Sequence, residues 1–156
     1  MAIALMLQQY LAEHGINYDV LPHTPTQSSM RTAEASHVPG EWLAKAVVLK
    51  GDAGYLLAVL PASHHLHLNE LAARLNREFE FATEEEIEAL FRDCARGAVP
   101  PIGAAYGVEV IVDDNIARQP EIYFEGGDHA TLVHVSGTQF ARLIAGTPRG
   151  QFSSHA

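Results

Sequence analysis

The sequence predicts a single-domain mixed α/β fold, a twisted, barrel-like mixed β-sheet surrounded by short helices, and three observations lead there. The chain has 156 residues, 47% of them hydrophobic, which is enough for one sizeable core and too few for two. Short apolar runs of strand length alternate with stretches of helical periodicity along the whole chain. No internal repeat, low-complexity tract or long linker divides it, so one domain is expected over residues 1–148, with a loose polar tail at 149–156.

Taken in order, Ile3, Leu7 and Leu11 follow helical spacing, and Gly15 suits the cap at that helix's end. Residues 16–21 read as a strand. The turn-forming run Pro22-His23-Thr24-Pro25-Thr26-Gln27-Ser28-Ser29 precedes a short helix over 31–36. A second short helix starts at Glu41 and runs into an apolar strand over 46–49, which puts Lys45 at or near a helix-to-strand junction. Residues 55–60 read as a buried strand, and Asn69 as the N-cap of a helix through Leu71 and Leu75 to Asn76. Thr83-Glu84-Glu85-Glu86 has capping-box spacing for the next helix. Strands are expected at 108–112, 121–125 and 131–135, and a last helix over 138–145.

Composition removes several classes of function. The longest apolar runs fall far short of the roughly 20 residues that cross a bilayer, so no membrane partner is expected. The N-terminal segment has no basic region and soon turns polar, as an amphipathic helix does, and a cytoplasmic location is expected. Ten Lys plus Arg against nineteen Asp plus Glu give a formal charge of −9. Such a surface repels phosphate over most of its area, so a nucleic acid must be held at a local basic spot or by shape. The single Cys94 has no partner for a disulfide and reads as a buried or idle thiol. Walker, Gly-x-Ser-x-Gly and Rossmann patterns are all missing, which disfavours nucleotide-driven and serine-hydrolase chemistry and calls for no cofactor.

Three segments carry candidate chemistry. Gly97-Ala98-Val99-Pro100-Pro101-Ile102-Gly103 has glycines that permit close approach and prolines that fix the path, so its polar equipment is mainly backbone. It is either a rigid connection or a preorganised loop that presents main-chain groups to a ligand. Gly126-Gly127-Asp128-His129 is ordinary hairpin chemistry, and His129 is either an exposed turn residue or one that orients a water or a sugar hydroxyl. Lys45, amid Ala44 and Ala46, either snorkels to solvent or supplies a compact charge for phosphate at a pocket mouth. His64, His65 and His67 match no zinc spacing and read as a surface cluster. Asp113-Asp114 reads as a strand-ending turn before a cation site.

Together and in order these segments resemble the YbaK/EbsC family, which includes the editing domain inserted in bacterial prolyl-tRNA synthetases. Thr32-Ala33-Glu34-Ala35 is similar to its threonine-alanine helix start, and Leu43-Ala44-Lys45-Ala46-Val47-Val48-Leu49 to its lysine-bearing strand entrance. Residues 97–103 are similar to its Gly-x-x-Pro-Pro-x-Gly loop, and Gly127-Asp128-His129 to its glycine and histidine turn. The resemblance implies the YbaK/ProRS editing-domain fold and a trans-editing deacylase that hydrolyses the ester of a mischarged tRNA bearing a small amino acid such as Ala, Ser or Cys. It implies Lys45 on the phosphate or sugar of the terminal adenosine, Gly97, Val99, Pro100 and Pro101 at the ester, with Ile102 and Gly103 completing that loop, and Gly127 and His129 at the amino-acid pocket. It implies water attack assisted by a substrate hydroxyl, with no metal and no covalent nucleophile, and partners limited to the tRNA acceptor end and an aminoacyl-tRNA synthetase. Two other readings stand beside it: a non-catalytic ligand-binding or interaction module on the same fold, which the acidic surface favours, and a metal-dependent hydrolase using residues 64–67.

Overall fold

The computed structural model describes residues 3–156. In chain order the elements are α1 (Leu5–Glu13), β1 (Asp19–Pro22), α2 (Ser29–Ser36), β2 (Leu43–Gly51), β3 (Gly54–Pro61), β4 (His64–Leu66), α3 (Leu68–Leu75) and β5 (Phe79–Phe81). They continue with α4 (Glu84–Leu90), β6 (Glu109–Asp113), α5 (Asp114–Ala117), β7 (Glu121–Glu125), β8 (Thr131–Ser136), α6 (Gly137–Leu143), β9 (Arg149–Gly150) and β10 (Ser153–His155). The expected mixed sheet is present, with strand order β1-β8-β7-β2-β3-β6-β9, and β4 and β10 form a separate pair.

Side-chain alternation makes β2 a two-faced partition. Ala44, Ala46 and Val48 face the main core with Leu7, Leu11 and Phe124, whereas Val47 and Leu49 face a second cluster with Leu60, Leu71 and Phe152. Local chemistry starts the helices. Ser28 accepts a bond from the Arg31 amide to begin α2, and Thr83 and Glu86 close the capping box foreseen for α4. Asp113 and Ser136 cap α5 and α6 in the same way.

Several boundaries differ from expectation for tertiary reasons. Ile16 is spent on the core, 7% exposed, and the strand begins only at Asp19, where pairing with His134 of β8 starts. The helix expected from Glu41 is a single 3-10 turn, Gly40–Trp42, because Leu43 already pairs with Tyr123 of β7. Lys45 therefore lies inside β2, close after that turn. Asn69 is not an N-cap: His67 holds that position, fixed by its own amide donating to the Phe152 carbonyl.

The largest correction concerns the tail. The chain after Pro148 was expected to be loose, yet β9 pairs with β6, β10 pairs with β4, and Phe152 is fully buried. Asp113, itself fully buried, holds it there. Its Oδ2 accepts from the Phe152 amide at 3.0 Å and the Ser153 hydroxyl at 2.9 Å, while Oδ1 accepts from both nitrogens of Asn115 at 2.8 Å. Asp113 is thus a structural anchor, with its oxygens taken up by the protein.

Two outcomes follow from these contacts. Asp113→Ala strands several buried donors and should cost roughly 3 kcal/mol, about 6 to 12 °C in Tm for a domain of this size, read by thermal circular dichroism. His134 of β8 bridges Asp19 of β1 at 2.7 Å and Glu121 of β7 at 2.6 Å. Burial alone would lower its pKa, but the two carboxylates outweigh that and raise it. A raised histidine stabilises fully below its unfolded value and loses that contribution as pH rises through the folded value. The stability gap between wild type and His134→Gln should therefore be widest near pH 6 and shrink above the ordinary histidine range of about 6.5. A gap constant from pH 5 to 9 would refute the bridge.

Candidate functional site

A strand inside a sheet normally bonds on both edges, and β2 does so except at one place. Its first edge pairs with β3 along its whole length, from Ala44 to Gly51. Its second edge pairs with β7 only at Leu43 and Ala44, and with β5 only from Leu49 onward. The Leu43 carbonyl bonds Ala62 beside β3, and the Val48 carbonyl bonds Ala82 on the other edge. Alternation then turns the N–H and C=O of Ala46 to the second edge, in the gap where β7 and β5 diverge.

The cleft opens at that gap. An inner recess of ≈ 140 Å³ is bounded by Ala44, Ala46, Ile87, Val99 and Glu125. It adjoins a more polar cleft of ≈ 450 Å³ that reaches Thr26, Ser29, Arg96 and His129. Ser29, Ala46, Glu84, Gly97 and Glu125 border both.

The 97–103 loop forms one wall, and its residues divide by role. Gly97 borders both spaces and Val99 the inner one, while Pro100, Pro101, Ile102 and Gly103 are buried beneath them. Gly103 is held by close packing, since a Cβ there would lie 2.4 Å from Val110 Cγ2 and 2.6 Å from the Val108 carbonyl oxygen. Gly97 has φ +75°, and a Cβ there would meet only His129 Cε1 at 3.7 Å, an ordinary contact. Among the described residues neither the Gly97 nor the Val99 amide has a protein acceptor, and prolines donate nothing. The loop thus leaves main-chain donors at the cleft.

The opposite wall is a carboxylate between two imidazoles. Glu125 ends β7 with its side chain only 12% exposed. His23, whose side chain is wholly buried, sets Nε2 3.2 Å from Glu125 Oε1 and Nδ1 2.8 Å from the Thr24 carbonyl oxygen. His129 sets Nε2 2.6 Å from the Thr26 carbonyl oxygen and Nδ1 3.6 Å from Glu125 Oε2. That Nδ1 is buried and, among the described residues, has no hydrogen-bond partner. His129 stands at φ +57°, a left-handed conformation that costs a non-glycine residue about 1 kcal/mol or more. Asp128 steadies the turn by accepting from the Ala130 amide and the Thr131 hydroxyl, both at 2.9 Å. Burial pushes the Glu125 pKa up, with the charge and hydrogen bond of His23 and the charge of His129 opposing.

Other candidates sit elsewhere or are engaged. Lys45 borders the recess, but its Nζ donates to the His64 carbonyl at 2.7 Å, and burial lowers its pKa. Lys50 pairs with Glu86 at 2.8 Å. Arg31 is exposed and without an ion pair among the described residues, beside Thr26 and Gln27. Gly127 lies in the His129 turn and gives its carbonyl to the Ala95 amide. His64 and His67 bond Ser153 and Ser154 across the β4–β10 pair. Among the described residues no three His, Cys, Asp or Glu side chains form a group that could hold a metal. Cys94 contacts Tyr106, and burial raises its pKa to about 11. Among the described residues no helix is long and apolar enough to cross a membrane.

A family model described as the aminoacyl-tRNA editing domain matches residues 23–143. Similar solved structures include a proposed trans-editing enzyme for prolyl tRNA synthetase, at 22% identity and TM-score 0.82 over 96% of this chain and 95% of that one. A hypothetical protein, APE2540, is similar at 19% identity and TM-score 0.83 over 96% and 99%. A proposed signal transduction protein from Marinobacter aquaeolei VT8 is similar at 19% identity and TM-score 0.77, over 96% of this chain and 30% of that one. At such identities these structures share the fold. No curated protein matches the sequence.

The two loop glycines should respond differently to the same change. Gly103→Ala forces a methyl into backbone and should cost about 3 kcal/mol or prevent folding. Gly97→Ala meets only left-handed strain, about 1 to 2 kcal/mol, and should fold. Denaturant titration of both variants checks this, and equal losses would refute the division of the loop.

Proposed function

The chain belongs to the aminoacyl-tRNA editing-domain family, whose model spans most of its length, and from that premise we propose that it is a deacylase hydrolysing the ester of a mischarged tRNA. The observation that carries this reading is the cleft at the β2 gap, inside the matched segment, with a small recess, lined by Ala44, Ala46, Ile87 and Val99 together with Lys45 and Glu125, opening into a wider and more polar space. At about 30 Å³ per water the recess holds about five waters, which suits a small aminoacyl group such as Ala, Ser or Cys. The wider space suits the terminal nucleoside.

Water is the nucleophile in this reading, with neither a metal nor a covalent enzyme intermediate, and the vicinal hydroxyl of the terminal ribose is available to assist it. Cys94 is unsuited to attack, because a thiol held near 11 carries little thiolate at neutral pH. An aminoacyl ester is already activated, so placement of water and donors for the developing oxyanion supplies much of what is required. One good donor contributes about 3 kcal/mol, and the amides of Gly97, Val99 and Ala46 are the candidates. A 22%-identical structure described as a proposed trans-editing enzyme for prolyl tRNA synthetase makes tRNA charged by that synthetase the first substrate to try, with the synthetase as its source.

The net charge of −9 favours a second reading, a binding module without turnover, and one experiment separates the two. A panel of tRNAs mischarged with Ala, Ser or Cys should be deacylated faster than the cognate aminoacyl-tRNA. Hydrolysis at background across the panel, with binding retained, would establish the module instead. In a salt series the logarithm of kcat/KM should fall with a shallow slope. Arg31→Ala should flatten it by about 0.7 to 0.9, one phosphate contact, whereas the already paired Lys50 should be replaceable without effect. Lys45→Ala should lower deacylation with the fold intact.

A further inference from the structure

The cluster around Glu125 is built to hold a proton. A carbonyl oxygen only accepts, so His23 must carry hydrogen on the Nδ1 facing Thr24, and His129 on the Nε2 facing Thr26. The remaining nitrogens, His23 Nε2 and His129 Nδ1, both face the Glu125 carboxylate. In neutral rings each of these is a lone pair. An ionised carboxylate facing two lone pairs is repelled, so the arrangement needs one further proton shared among the three groups. Oε1 is engaged by His23, and among the described residues Oε2 makes no hydrogen bond, with His129 Nδ1 3.6 Å from it and beyond bonding distance. Oε2 is therefore the oxygen left to act, on a residue that borders both recess and cleft.

We propose that Glu125 is the general base of the hydrolysis and that His23 is a positioning residue holding its carboxylate. This rests on the deacylase reading and assigns to the protein a proton transfer that a substrate hydroxyl would otherwise have to make alone. A water between Oε2 and the ester gives its proton to Glu125 as its oxygen bonds the carbonyl carbon, and the carbonyl electron pair moves to the oxygen. The oxyanion then re-forms the carbonyl, the bond to the ribose oxygen breaks with its electron pair, and that oxygen takes the proton from Glu125. The freed carboxylic acid ionises to solvent, so one water and one ester yield one carboxylate, one alcohol and one proton. Nothing is oxidised or reduced.

The groups that bear on Glu125 come from every wall: His23 after β1, His129 and Asp128 in the β7–β8 turn, Glu84 of α4, Lys45 of β2 and Arg96 before the loop. Burial puts its titration above the ordinary carboxylate range, so the acidic limb of the kcat profile should lie above about pH 4.3.

The test is a pH profile of kcat and KM on one mischarged tRNA for wild type, Glu125→Gln and His23→Gln. Glu125→Gln should lower kcat by roughly 10²- to 10⁴-fold, leave KM nearly unchanged and abolish the acidic limb. His23→Gln should shift that limb to higher pH, because an imidazole that favours the carboxylate is gone; a merely structural histidine would lower kcat without moving it. Folded Glu125→Gln with near wild-type kcat, or with only KM raised, overturns the base. A wild-type kcat flat down to about pH 4.3 overturns it without any variant. An unmoved limb in His23→Gln overturns the positioning role. A wild type that hydrolyses no aminoacyl-tRNA overturns the deacylase reading itself, which the variant results leave standing.

Discussion

The cleft depends on one unfinished edge. β2 is bonded along all of one side and at both ends of the other, and the gap at Ala46 exists because β7 and β5 approach from opposite ends without meeting. An open edge in mid-sheet leaves backbone groups that water or a ligand must satisfy. It also sends two chains away in different directions: β7 toward Glu125 and the His129 turn, and β5 toward α4 with Glu84 and Ile87. The Gly97 loop closes over the opening. Every wall of the site is thus a consequence of where two ladders stop.

This geometry explains how much the sequence disclosed. The capping box at Thr83 was legible because it is local, and the strand at Glu121–Glu125 because its apolar pattern and its turn agree. The loop and His129 stood out for their glycines and prolines. Glu125 and His23 did not. A single acidic residue ending a strand looks like ordinary solvent-facing polarity, and His23 lies 102 residues away from it. The one local hint was Glu125 placed directly before two glycines, at the rim of a hairpin. The tail misled for a related reason: Phe152 is its one large apolar residue, and its anchor at Asp113 looked like a turn.

The acidic surface is partly a matter of pairing. Lys50, Arg77, Arg96 and Arg149 each meet a carboxylate within 4.0 Å, so cations that the composition counts as available for phosphate are already engaged. Exposed pairs of this kind add little stability. Their effect is on partners, because they confine usable positive charge to few places and make the approach of a polyanion dependent on the cleft and its rim.

The pairing of β1 with β8 has a consequence in time. Asp19 and His134 are 115 residues apart, so the strand leading into His23 has no neighbour until that further length has been made, on the order of 10 s at ribosomal speeds. Phe152, which seals the second cluster, arrives later still. Contacts this distant form slowly, and a growing chain carries β2 and β7 with exposed edges for much of that interval. A product terminated before β8 would have the Gly97 loop and even Glu125 yet no place for His23, so the cleft waits on β8.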